Sequence, residues 1–421
     1  MIIQSKYYQS LKIGLFLAIR DIKKANKWTT LLIVVVMVLT FLNLIVISGI
    51  LVGLIQGSVD ANKGRYSGDL IISTLPKKEY IEKSTFIINL LKSLPETENV
   101  TSRYTQSGRV EANYKNRTRL SDKVDSAGGI VAGINPTDED RVTNLSKYVK
   151  EGKYLDDSDT DQILIGGNLL FKYTPIESPG FSTLKNVEVG SKVRLIIAGT
   201  TREVTIKGII KSKVGELDQR IFMVDRELRK IIGRNDYNVD EIVTVFKKGA
   251  DVGKIKNFLI SEEVDKLARV QTWEDAQPKF LNDIKTTFAL LGNMIGSIGL
   301  AVAAITIFII VFVNAITRRR YIGILKGIGI RSLAIEFSYV IQSLFYAFCG
   351  ILIGSLIVFL FLKPFIASHP INFPFSDGIL VATVGGTLIR AFILFIATLI
   401  AGYIPARLVV KQNTLDAILG R

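Results

Sequence analysis

The sequence predicts a membrane protein: four transmembrane α-helices with a large α+β extracytoplasmic domain inserted between helices 1 and 2. Three observations predict it. Residues 28–59, 286–317 and 337–362 contain no Asp, Glu, Lys or Arg, and each run exceeds the ~20 apolar residues that cross a hydrocarbon core of ~30 Å. A fourth apolar stretch, 378–404, is interrupted only by Arg390. Finally, the net charge of +15 gathers beside these stretches, whereas residues 56–285 balance 37 basic against 34 acidic residues. A simple soluble enzyme is thereby excluded. A nucleic-acid binder would carry its basic charge on one face of a folded domain, so that class is set aside too.

Residues 1–28 hold Lys6, Lys12, Arg20, Lys23, Lys24 and Lys27 against Asp21 alone. Leu11, Leu15, Ala18, Ile19 and Ile22 recur at helical spacing while the cations fall elsewhere. This pattern suits a cytoplasmic amphipathic helix lying in the interface near anionic headgroups; the alternative is a lead-in that merely sets topology. The first span, 29–55, is about twice the ~7–15 residues of a signal-peptide core, and no small-residue cleavage site closes it. An uncleaved helix is expected.

Residues 56–285 read as a folded domain with room for two lobes. Short β-type runs bounded by turn residues occur at 68–73, 162–166, 193–197, 202–210 and 220–224. Helical patterns cover 77–93, 226–232 and 251–267, and Pro175, Pro179 and Gly180 mark 173–186 as a loop. The second span is 286–317, followed by a basic connection, 318–334. The third span is 335–362, the short loop 363–377 carries one basic and one acidic residue, the fourth span is 378–404, and the tail 405–421 is basic. Lys and Arg accumulate on the cytoplasmic side of short flanks, so both termini and 318–334 are expected inside and 56–285 outside.

Little in the chain points to catalysis. Cys349 is the only cysteine and lies in an apolar run; His369 is the only histidine. A disulfide framework, a CxxC site and a histidine metal cluster are excluded, and no catalytic or metal-ligating residue is expected. A membrane-anchored enzyme would need a nucleophile with its base, which these residues do not supply. A P-loop is absent as well: Gly152-Lys153 and Gly253-Lys254 are followed by Tyr154 and Ile255 and lack the earlier glycine that cradles phosphates.

Two intramembrane polar residues stand out. Arg390 splits the fourth span, where a charge costs about 2.5–3.5 kcal/mol on insertion scales. It could pair with Gln342 or face a substrate-accessible cavity; alternatively the span starts later and Arg390 reaches the outer surface. Glu336, opening the third span, is expected to pair with Arg331 or Arg320.

The connection Arg318-Arg-Arg-Tyr-Ile-Gly-Ile-Leu-Lys-Gly-Ile-Gly-Ile-Arg331 is more than a polar turn. Ile322, Ile324, Leu325 and Ile328 give it an apolar face, and Gly323, Gly327 and Gly329 permit close backbone approach. A short amphipathic helix of this kind wants a partner groove, or else anchors on lipid. The segment resembles the Arg-x-x-Glu-Ile-Gly-Ile-Leu-Arg-Ala-Ile-Gly signature of the FtsX-like ABC permease family, which includes macrolide-exporter and lipoprotein-releasing permeases. Tyr321 stands in place of the usual Glu, and Gly327 in place of Ala. Leu17-Ala-Ile-Arg-Asp-Ile22 is similar to the family's opening pattern. Val270-Gln-Thr-Trp-Glu-Asp275 is similar to its return from domain to membrane, and Pro405-Ala-Arg407 and Asn413-Thr-Leu-Asp-Ala-Ile418 to its closing patterns, with Thr414 replacing Pro.

The resemblance covers nearly the whole chain and implies the permease subunit of an ABC transporter in a bacterial inner membrane. A separate ATPase, which alone would bind ATP and Mg, docks between spans two and three and moves the outer domains, a mechanism called mechanotransmission. Arg318, Arg320, Ile322, Gly323, Ile324, Leu325, Lys326, Gly327, Ile328 and Gly329 would form the coupling segment. Implied partners are the ATPase, a second permease copy or homologue, and an extracytoplasmic adaptor or lipoprotein acceptor. Implied tasks are lipoprotein release or export of a lipophilic or peptide substrate. The alternative is a permease-like mechanotransducer that transports nothing and regulates cell-envelope enzymes.

Overall fold

The computed structural model describes residues 2–115, 124–175, 182–277, 279–373 and 376–411. The closing motif at Asn413–Ile418, and Pro179 and Gly180 of the expected loop, lie outside the described residues. The chain divides into two compact units: Met1–Ile55 with Asp283–Asn372 and Asp377–Arg421, and Gln56–Asn282 with Phe373–Ser376.

Helix α1 (Ile2–Lys24) is separated from α2 (Lys27–Asn62) by two residues. The break is made by Asn26, whose side chain accepts the Trp28 N–H at 2.9 Å as an N-cap. At 1.5 Å per residue α2 runs about 54 Å, beyond the expected 29–55, and a π-helical turn, Lys63–Ser67, extends it further.

The second unit is a mixed sheet with helices. It contains β1 (Leu70–Ser73), α3 (Ser84–Ser93), β2 (Thr97–Glu111), β3 (Ser126–Ile134), α4 (Pro136–Thr143) and β4 (Val149–Gly152). There follow β5 (Gln162–Gly166), β6 (Lys192–Ile197), β7 (Thr200–Ile210), α5 (Gly215–Asp218), β8 (Arg220–Val224) and α6 (Asp225–Ile232). The unit ends with β9 (Glu241–Phe246), α7 (Val252–Ser261), α8 (Val264–Leu267) and β10 (Arg269–Thr272). Two expected helices are trimmed. The 77–93 pattern folds only as α3, because Ser84 is tied back to Ile81 O and positive-φ residues Lys77 and Lys83 break the earlier turn. The 251–267 pattern splits at Glu263, also at positive φ.

Strand order is β10-β1-β9-β2-β3-β8-β5-β7-β4, with β6 pairing both β2 and β7. The second pairing closes β2, β3, β8, β5, β7 and β6 into a ring. Alternate residues point inward, so Val131, Ile163, Ile165, Val193, Leu195, Val204, Ile206, Ile221 and Met223 fill its interior. Beyond the ring, β10, β1, β9 and the first half of β2 form an open sheet covered by α3, α7 and α8, with Leu70, Ile72, Ile87, Leu91, Ile242 and Leu259 between the layers. Strand β2 belongs to both parts: Thr97–Arg103 pairs with β9, and Gly108–Glu111 with β6.

After β10 the chain continues with α9 (Lys279–Thr317), α10 (Arg319–Gly327), α11 (Ser332–Leu356), π-helical Ile357–Leu362, α12 (Lys363–Ser368), the short pair β11 (Ile371–Phe373) and β12 (Ser376–Gly378), and α13 (Val384–Val410). Among the described residues, four helical segments are long and apolar enough to cross a membrane: Lys27–Ser67, Thr286–Thr317, Ser332–Ser368 and Val384–Val410. They pack through small residues, as helices must when lipid removes the hydrophobic drive between them. Gly350 and Gly354 of α11 bring its backbone against Met37 and Phe41 of α2, with no room for a Cβ. Further along α2, Leu44 and Ser48 meet Gly296 and Gly292 of α9. Gly402 of α13 rests on Ser343 of α11.

The last helix departs from expectation at both ends. Residues 379–382 are irregular rather than helical and lie against Gly49 and Gly53 of α2, with Val381 N–H donating to Gly49 O at 3.1 Å. At its other end α13 continues through Pro405 to Val410 rather than stopping at 404; neighbouring helices can accommodate the hydrogen bond that proline removes.

Candidate functional site

The candidate coupling segment folds as α10, with Arg318 at its N-cap. Its end is a Schellman turn: Ile330 N–H donates to Leu325 O at 3.0 Å and Gly329 N–H to Lys326 O at 3.1 Å. That geometry needs the left-handed φ of +93° that Gly329 supplies. The expected single apolar face is in fact two. Ile322 and Leu325 are 2% and 8% exposed and join the core of the helical unit, whereas Ile324 and Ile328 are 48% and 71% exposed. Tyr321, 39% exposed, continues the outward stripe. The spacing 321, 324 and 328 is one side of a helix. Gly323 is buried, but Gly327 faces open space, so it provides no close approach within the chain.

The charged residues of the segment divide in the same way. Lys326 points back, its Nζ donating to Val410 O at the end of α13 at 3.0 Å, which makes it an anchor. Arg318 Nη1 lies 2.8 Å from Asp21 Oδ1 of α1. Arg320 is exposed. A helix held on one side by Ile322, Leu325 and Lys326 therefore presents tyrosine, two isoleucines and an arginine on the other.

Arg390 and Gln342 are not partners. Gln342 Nε2 donates to Asp21 Oδ2 at 3.2 Å. Arg390 Nη2 donates to Ser48 Oγ of α2 at 2.6 Å, and Nη1 to Gly386 O at 3.2 Å. The packing of Gly402 on Ser343 explains why: Arg390 lies twelve residues, about 18 Å of helix, from the level of Gln342. Because α13 begins only at Val384, Arg390 occupies its second turn rather than its middle. Glu336 is buried, and no ion pair within 4 Å joins it to Arg331 or Arg320 among the described residues.

Helix α1 lies along α11, burying Ser10, Gly14, Leu17 and Ala18. Of the apolar set expected on one face only Ala18 is fully buried. Leu11, Leu15 and Ile19 are exposed beside Tyr8, Phe16, Lys12 and Arg20, an arrangement suited to an interfacial helix.

Sequence reasoning missed a charged cluster inside the second unit. Arg103 of β2 is fully buried and holds Glu139 of α4 through Nε at 3.0 Å and Nη2 at 2.6 Å. Its Nη1 reaches Glu241 Oε2 of β9 at 3.1 Å, and Nη2 also donates to Tyr66 O at 3.1 Å. Arg220 of β8 grips Glu241 at 2.6 and 2.9 Å and donates to Tyr66 Oη at 3.0 Å. Both guanidinium groups lie over the Tyr66 ring, 5.1 and 5.0 Å from its centre. Burial pushes the Glu241 carboxyl up, yet Arg220 and Arg103 outweigh it and bring it down to about 2. Burial, helped by the Glu241 charge, pushes the Tyr66 hydroxyl up to about 12. Two cations and two anions thus clasp the π-helical turn that prolongs α2. The participants are up to 175 residues apart, and no local pattern announces them. Among the described residues no group of three or more His, Cys, Asp or Glu side chains could hold a metal ion.

Residues 293–414 match a family described as FtsX-like permease C-terminal. Two similar proteins are ABC transporter permeases of Methanocaldococcus jannaschii. One, MJ1507, is 23% identical over 283 residues, 65% of each chain. The other, MJ0797, is 28% identical over 157 residues, 35% of this chain and 40% of that protein. The matches therefore span less than two thirds of either relative's length. Among solved structures, the periplasmic region of MacB from Actinobacillus actinomycetemcomitans is 12% identical, with a TM-score of 0.35 over 51% of this chain and 92% of that one. The extracellular domain of the noncanonic ABC-type transporter YknZ from Gram-positive bacteria is 14% identical, with a TM-score of 0.32 over 48% of this chain and 99% of that one.

Proposed function

We propose that this chain, an ABC transporter permease-type protein with an FtsX-like C-terminal domain, converts ATP hydrolysis by a separate ATPase into movement of its α+β domain. The substrate class we assign is an amphipathic or lipidated molecule released or exported on the far side of a cytoplasmic membrane. In this reading both termini and α10 face the cytoplasm, because basic flanks stay inside. The ATPase carries ATP and Mg, and a second permease copy or homologue completes the assembly.

The observation that carries the reading is the outward stripe of Tyr321, Ile324 and Ile328 on a helix anchored from behind. Exposed apolar residues at i, i+3 and i+7 are what a helix inserted into a partner groove presents. The anchoring means that a push on the stripe is delivered to the core of the helical unit rather than dissipated in a loose connection.

The test is co-purification of the ATPase from the native host with the tagged chain. Ile324→Asp combined with Ile328→Asp should weaken association about tenfold or more, as loss of a central apolar anchor does, while the protein still reaches the membrane. Association unchanged by both aspartates would defeat the assignment of α10 as the docking helix.

A further inference from the structure

We infer that Asp21 is a positioning residue for the coupling segment: its carboxylate latches the start of α10 to both α1 and α11, so that displacement of α10 reaches those two helices together. This rests on the reading of α10 as the ATPase dock. Asp21 is the only acid among residues 1–28. One of its oxygens lies 2.8 Å from Arg318, the residue that joins α9 to α10, and the other accepts Gln342 Nε2 of α11 at 3.2 Å. Gln342 is itself buried and within 3.4 Å of Ser338 Oγ. Helix α1 cannot slide freely under this contact, because at Gly14 it already touches Ala334 O and Phe337 of α11.

The geometry favours a contact that opens and closes over a fixed strut. The Asp21 and Arg318 side chains are 20% and 37% exposed, so the pair is screened and holds the fold together only weakly. Beside it lies a cavity of about 170 Å³ whose walls include Thr30, Asn314, Gln342 and Tyr346. When α10 moves, each charge can turn toward these polar groups or water instead of being stranded in an apolar span. A pair such as Arg103 and Glu139, both fully buried, has no solvent to turn to. The Asp21–Arg318 contact is therefore built to exchange partners, and it does so at the point where an ATPase stroke would enter.

The experiment uses the complex of the full chain with the ATPase that co-purifies from its host, in lipid nanodiscs. Hydrogen exchange is compared with and without ATP plus vanadate. In the parent complex the nucleotide alters exchange in α10 and in 332–343 of α11. With Asp21→Ala the ATPase stays bound and α10 still responds, but the response of 332–343 falls about fivefold or more, the low end of coupling between linked sites. The charge swap Asp21→Arg with Arg318→Asp restores it, which a merely destabilising substitution would not allow. An undiminished α11 response in Asp21→Ala, or a swap that rescues nothing, overturns the latch while leaving the docking reading intact. Absence of a bound ATPase, or of any α10 response in the parent, removes the docking reading and the latch with it.

Discussion

Replacing Arg103 by methionine is the sharpest way to probe the charged clasp around Tyr66. The cluster holds Arg103 and Arg220 against Glu139 and Glu241, a neutral set. Methionine fills much of the arginine volume but leaves Glu139 fully buried with only the hydroxyls of Thr101 and Thr143. Removing one partner of a buried pair costs about 3–5 kcal/mol, since the other is left uncompensated. Domains of about 150–250 residues lose roughly 2–4 °C per kcal/mol, so the transition should drop by about 6–20 °C. The assay is thermal unfolding of the full chain in detergent, followed by Trp273 fluorescence with Trp28 changed to Phe in parent and variant alike. Adding Glu139→Leu removes the stranded charge, and the double variant should recover most of the loss, because apolar replacement of a whole buried pair is often neutral. A single variant melting within about 2 °C of the parent would refute the reasoning. So would a double variant no better than the single.

Two further perturbations address other parts of the molecule. Asp240 accepts the Thr105 N–H at 2.6 Å, and burial pushes its carboxyl up to about 6. The native state therefore holds this proton more tightly than the unfolded chain, whose carboxyl titrates near 3.8, so this residue adds stability as pH falls from 7 toward 5. Asp240→Asn should raise the melting temperature at pH 7 and abolish the gain between pH 7 and 5; parallel curves for parent and variant would contradict this. Glu241 acts oppositely, its contribution being present above about 4.5 and lost as pH falls toward about 2. In the helical unit, Gly350→Val puts a branched side chain against Met37 of α2. Overpacking of this kind costs about 1–3 kcal/mol, which should appear as earlier thermal aggregation in detergent, with Gly385→Val, in open space, as the unaffected control.

What could be read from the sequence follows from how each element is buried. Strands β5 and β8 are apolar runs closed by turns and were recognisable to the residue. Strand β2 was invisible because its fifteen residues are mostly Thr, Ser, Glu, Gln and Arg; its interior position is sustained by ion pairs that only the fold assembles. Residues 379–382 read as helix, although they are irregular, because hydropathy reports burial and not conformation. In α10 the pattern marks a short amphipathic helix, but periodicity over nine residues does not separate the isoleucine that anchors from the isoleucine that faces outward. Asp21 reads as one acid in a basic helix, and its meaning depends on Arg318, almost three hundred residues away.

The double membership of β2 has a consequence for how the chain is made. Among the described residues strand β1 pairs only with β9 and β10, so these partners of Leu70–Ser73 arrive only once residues 241–272 have been synthesised. The first half of β2 waits for β9 as well. During that interval unpaired apolar strand edges are exposed, which is the condition under which chains mispair or aggregate. The strands that end the wait are the last ones before α9. Completion of the domain is therefore followed closely by the second span, and chains truncated before residue 240 keep the strands of the ring but leave β1 and the first half of β2 unpaired, so they should aggregate more readily than the full chain.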